Sequence, residues 1–111
     1  MNKDKIEDLK KKHPEGIHAG EISFSDAEDK LHKVEFVYRQ PNTTDLESHI
    51  KASQKNPMVA NLNLLQSLII HPEPGPIIEA IRDFPMASAK FVDEAVTPFF
   101  GANVSFKGRK L

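Results

Sequence analysis

Five histidines, His13, His18, His32, His49 and His71, are the side chains of this 111-residue chain best suited to metal or proton chemistry. A metal site written in sequence shows as two histidines one helical turn apart, or as histidines in a loop with clustered carboxylates. None of the five makes a His-x-x-x-His pair or sits in such a loop. His18 and His32 are a pair that a hairpin could bring together, yet ordinary partly exposed imidazoles account for all five better than a metal. Nucleophile chemistry lacks its starting residues, because the chain has no Cys and no Gly-x-Ser-x-Gly. The adjacent carboxylates Asp93-Glu94 would point apart on a helix, and Glu28-Asp29 fall in a turn. Gly75 stands between prolines instead of in a phosphate-binding loop. The expectation is a protein with no catalytic residue, no metal ligand and no cofactor, and hence not an enzyme.

Two features point to binding. Phe99-Phe100, between Pro98 and Gly101, are adjacent aromatics at a helix end that cannot both enter one core easily. Either they are a contact for a partner, or one packs inward while the other covers the hairpin. Arg39 follows an apolar-face aromatic and precedes a turn. It carries a partner contact, or it satisfies local carbonyls and a helix carboxylate, as guanidinium groups often do. Arg39, Phe99 and Phe100 are therefore the candidate partner contacts.

The elements that must position these residues are legible from periodicity. Residues 3–12 form a short polar helix with Glu7–Lys11 and Asp8–Lys12 at i,i+4 spacing, or a solvated arm. Gly16 to Ser25 is a strand with Ile22 and Phe24 on one face and a weak point or bulge at Gly20. After the polar connection Ser25–Lys30, Leu31 to Arg39 alternates with Val34, Phe36 and Tyr38 inward. Thr44 and Glu47 have capping-box spacing at the head of a helix to about Lys55. Asn56-Pro57 starts the central core helix, with Met58, Leu62, Leu65 and Ile69 as a stripe that Val59, Leu64 and Leu68 broaden. Three prolines and a glycine between His71 and Pro76 end it. Pro76 opens a short helix through Phe84, residues 86–97 make a last one, and Ala102–Phe106 is a candidate third strand at the hairpin's edge. The fold class is α+β: an N-terminal hairpin, with a possible C-terminal third strand, packed on three to four short helices. Residues 1–16 are an arm or short helix, 17–106 a single domain and 107–111 a frayed tail.

Totals narrow the function further. At 111 residues one core is the natural size. Fifteen basic and sixteen acidic side chains leave a net charge of −1, without the basic excess that phosphate neutralisation asks of a nucleic-acid binder. No apolar run approaches the ~20 residues of a bilayer span, and Met1–Asp8 has no apolar stretch for a signal peptide. Location in the cytosol, with no nucleic-acid or membrane partner, is expected.

The order Phe36-Val37-Tyr38-Arg39-Gln40-Pro41, then Asp45-Leu46, Ala60-Asn61-Leu62-Asn63-Leu64-Leu65, Pro72-x-Pro74 and Phe84-Pro85, resembles that of the small tail assembly chaperones of tailed phages and prophages. The resemblance covers residues 17–100 and extends to chain length, a hairpin feeding an aromatic-Arg-x-Pro turn, and a following bundle of short helices. It implies non-enzymatic work in the bacterial host cytosol. Such chaperones bind the tape-measure protein and keep it soluble while tail-tube subunits polymerise around it. The implied partners are the tape-measure or tail-tube protein, and a monomer or weak oligomer is expected. Related proteins have an extended frameshift product, of which this chain would be the short form. The alternative is a small bacterial adaptor or regulatory domain that docks a different protein.

Overall fold

The computed structural model describes residues 2–101 and 103–111. Its hairpin is built by alternation on either side of Asp26. Strands β1 (Ile17–Ser25) and β2 (Leu31–Arg39) pair antiparallel in one unbroken register, with Ile22 opposite Val34 and Gly20 opposite Phe36. In the turn, Asp26 Oδ1 accepts the backbone N–H of Glu28 at 2.9 Å and that of Lys30 at 3.0 Å. This side-chain closure substitutes for an Asn-Gly turn, and Asp29 takes the positive φ of 59° that Asp tolerates. Gly20 makes no bulge. A Cβ there would lie 2.9 Å from Phe36 Cε2, so the bare position lets the buried Phe36 ring lie across the strand.

Helix α1 (Lys3–Lys12) precedes the hairpin, with Asn2 Oδ1 accepting the N–H of Lys5 at 2.8 Å and three lysines in its last turn. Both ends suit the helix dipole and its unpaired backbone groups, so a helix forms where the sequence left helix or arm open. After β2 come α2 (Thr43–Ser53) and α3 (Pro57–Leu68), joined by a short turn. The capping box at α2 is Asn42 with Asp45, two residues before the expected Thr44 and Glu47. Pro41 sets this start, because the chain turns immediately after it and Asn42 is the first residue able to cap. Asn56 caps α3 as expected, its Oδ1 accepting the Val59 N–H at 3.2 Å.

The buried face of α3 is Ala60, Leu64, Leu65 and Leu68, while Met58 is exposed and Leu62 only partly buried. Leu65 of the expected stripe and Leu64 and Leu68 beside it are thus buried, whereas Met58 and Val59 face out because the buried face runs through the small Ala60, which a count of large residues passes over. A third strand, β3 (Ile69–His71), follows α3 directly and pairs antiparallel with β2, giving the order β1-β2-β3. The third strand is thus Ile69–His71 and not the C-terminal segment, whose residues 103–106 are irregular and exposed; Ala102 lies outside the described residues. Two β-branched residues before His71-Pro72 favour extended backbone, and the residue before a proline is disfavoured in a helix.

Helix α4 (Pro74–Ile81) starts two residues before the expected Pro76. Prolines in a first turn sacrifice no helical hydrogen bond, so Pro74 and Pro76 both fit. Helix α5 (Pro85–Phe91) continues into a wide π turn (Val92–Val96) and a 3₁₀ turn (Thr97–Phe100) in place of one regular helix to residue 97. The architecture is α+β, with the sheet's inner face on the helices. One core cluster joins Ile22, Phe36 and Tyr38 to Leu65, Leu68, Ile81 and Phe91. Burying each such side chain contributes roughly 1.5–3 kcal/mol. Leu9 and Val37 are also buried, outside that cluster.

Candidate functional site

The turn after β2 is fixed by one carboxylate with two tasks. Arg39 Nη1 donates to Asp45 Oδ2 at 2.7 Å and Nη2 donates to Oδ1 at 2.9 Å, a bidentate pair. Asp45 Oδ2 also accepts the backbone N–H of Asn42 at 2.8 Å, while Asn42 Oδ1 accepts that of Asp45 at 2.9 Å. Strand end, proline turn and helix start are therefore locked together. The side chains of Arg39 and Asp45 are 19% and 12% exposed, so the pair is largely withdrawn from water. The Arg39 hydrogen bonds hold the Asp45 carboxyl below its ordinary range, helped by the Asn42 N–H and opposed by burial. The same bonds raise the guanidinium pKa. Arg39 thus engages a helix carboxylate, with a long contact of 3.5 Å to the Gln40 carbonyl.

The aromatic side of the site comes from the end of the chain's last helix. Pro98 has no N–H to offer Glu94 and its ring crowds that carbonyl, so the preceding turn widens. Thr97 stabilises the wide turn, its N–H and its Oγ1 both donating to the Val92 carbonyl, the latter at 3.0 Å. Gly101 ends the turn with a φ of +129° that suits glycine. The change of pitch separates the two rings. Phe100 packs against the core cluster, while Phe99 stays at the surface over His18, with ring centroids 5.1 Å apart. His18 rests in turn on Tyr38 at 5.4 Å.

These elements converge. Arg39, Asn42, Phe99 and Phe100, with His13 and Glu15 from the α1–β1 turn, line one shallow depression of about 730 Å³. Residues from the chain's start, middle and end meet there, and all three sequence candidates are among them. The rim is polar: His13 Nδ1 lies 3.1 Å from Glu15 Oε1, whose carboxyl is held low first by its own backbone N–H. Within this wall the Nε2 atom of His18 is buried and has no hydrogen-bond partner. Such a face offers an exposed ring and a rigid guanidinium edge.

The histidines do not gather. The hairpin register sets His18 opposite Tyr38 and His32 opposite Phe24, so the two imidazoles do not meet as a hairpin neighbour pair. His32 stacks on Phe24 with centroids 5.0 Å apart and its Nε2 lies 2.8 Å from Asp26 Oδ2, an interaction that leads the lowering of the Asp26 pKa. His49 Nε2 bridges α2 to α3 through Asn61 Oδ1 at 2.8 Å. His71 belongs to β3. Among the described residues no group of three His, Asp or Glu could hold a metal ion, and no helix is long and apolar enough to cross a membrane.

Sequence reasoning missed Asn42, Asp45 and His18 as parts of this face. The first two carried a signal, an Asn followed three residues later by an acid immediately after Pro41. His18 carried none, because its place under Phe99 depends on packing between distant ends of the chain.

No family model matches this chain, and no curated protein matches it either. A solved structure of an uncharacterised protein from Bacillus stearothermophilus is similar, with a TM-score of 0.64 and 20% identity over 94% of this chain and 99% of that one. At that identity the likeness concerns the fold.

Proposed function

We propose that the chain is a non-enzymatic tail assembly chaperone of a phage or prophage, which binds the tape-measure or tail-tube protein through the face around Arg39, Phe99 and Phe100. The observation that carries this reading is the convergence of those three residues on one depression, with Phe99 exposed and Arg39 immobilised by Asp45. Interfaces favour aromatic and Arg anchors, and a pre-set guanidinium loses little freedom on binding. The aromatic-Arg-Gln-Pro turn of the family resemblance forms one wall of this same face, which supports the reading a second time. Work in the host cytosol and a partner that is a polypeptide, rather than nucleic acid or membrane, belong to the proposal.

Co-expression with the tape-measure protein of the same gene neighbourhood tests it. The expected result is a soluble complex recovered with this chain, and tape-measure aggregation without it. A gene lying far from any tail genes, with no tape-measure or tube protein retained, would leave the adaptor alternative in its place.

A further inference from the structure

The two edges of the sheet are treated differently. β3 is three residues long and is followed at once by Pro72, a blunted edge. β1 is nine residues long and contains no Pro and no Lys, and Glu21 is its one carboxylate or fixed charge. Beside it runs an open groove of about 580 Å³, floored by Ile22, Phe24 and Phe91 and walled by Met86, Lys90 and Glu94 of the last helix and its π turn. A free strand edge beside an apolar groove is the geometry that accepts an added strand, backbone bonding to the edge and alternate side chains entering the groove.

The chain carries a segment of matching character. In residues 103–111, Val104 and Phe106 alternate with Ser105 and Lys107 and are 80% and 94% exposed. Lys107, Arg109 and Lys110 are its charged side chains, all basic. Acids outnumber bases around the edge: Glu21, Glu35 and Glu94 share two lysines, Lys33 and Lys90. With Val104 and Phe106 in the groove, Lys107 and Arg109 fall on the opposite face, the face of Glu21 and Glu35. Val104, Phe106 and Leu111 are all exposed, so the segment's apolar side chains take no part in the core of their own copy.

We infer that residues 103–111 of one copy add as a fourth strand to the β1 edge of a second copy, and that reciprocal exchange closes a two-fold dimer. The surface is distinct from the Arg39 face, so dimerisation and partner binding can fail separately. Light scattering after size exclusion, across ~10–500 μM as suits a small interface, is the test, together with amide hydrogen exchange. The full chain is expected to shift from monomer to dimer over that range, with the amides of 103–109 protected as dimer forms. The double variant Val104→Asp/Phe106→Asp changes only exposed side chains, and it weakens the dimer at least ~100-fold by removing two buried anchors. Met86→Asp in the groove wall also weakens it, with far-ultraviolet dichroism unchanged in both variants. A chain that stays monomeric to the top of the range overturns the inference, as does a dimer indifferent to the tail variant. Protected tail amides in a monomer also overturn it, by showing closure on the same copy.

Discussion

Replacing Asp45 with Ala removes three hydrogen bonds at once: both from Arg39 and the one from the Asn42 N–H. Loss of the capping interaction costs about 1 kcal/mol. Hydrogen bonds to a charged group contribute about 1.5–3 kcal/mol, and the pair's position at the rim of the fold places it near the low end. A loss of about 2–3 kcal/mol is expected, a large share of the ~5–15 kcal/mol that a domain of this kind has. Urea unfolding followed by far-ultraviolet dichroism should show the midpoint fall by about 1–2 M.

The pH dependence supplies a second readout. Asp45 has a folded pKa below its ordinary value. Its contribution is complete above the ordinary carboxylate value and is lost as pH falls through the depressed folded value. The stability gap between wild type and Asp45→Ala should therefore be constant from pH 7 to 5 and narrow below about pH 4. Lys90→Ala is the control, since the Lys90–Glu94 pair is 65% and 62% exposed, and a pair so open to water contributes little to stability. An Asp45→Ala loss no larger than the control's, or a gap that does not narrow in acid, would refute the idea that this pair locks the turn.

Other outcomes follow from the core. Ile81→Ala empties a site that is fully buried within the main cluster and should cost about 3–4 kcal/mol in the same urea experiment. Gly20→Val meets the Phe36 ring at 2.9 Å and Tyr38 at 3.2 Å, both buried, and should cost about 1–3 kcal/mol, although valine favours strands. Its sign separates the two effects, since a stabilised Gly20→Val would mean that Phe36 can move aside.

The hairpin, the Asn56-Pro57 helix start and the α+β class were legible because each rests on local chemistry: alternation, a capping side chain, a proline without an N–H. Ile69 and Ile70 read as the end of the preceding helix because they continue its helical spacing, although two β-branched residues and the coming Pro72 argue for extended chain. The wide turn at Val92–Val96 was hidden for a different reason. Pro98 perturbs the carbonyl four residues before it, so its effect appears upstream of the proline where a terminator is usually sought. Of the candidate face, Arg39, Phe99 and Phe100 were visible as residues. Their meeting was not, because sequence gives no measure of how a strand end and a chain end come together across a core.

The claim that this face holds another polypeptide is tested most directly by amide chemical-shift mapping of the chain during titration with segments of the tape-measure protein. Binding should perturb His18, Arg39 to Thr43, Phe99 and Phe100 first, and Phe99→Asp should weaken it at least ~tenfold while the far-ultraviolet dichroism stays that of the wild type. Tape-measure segments that leave those amides unmoved at saturating concentration, or that bind Phe99→Asp as tightly as the wild type, would contradict it.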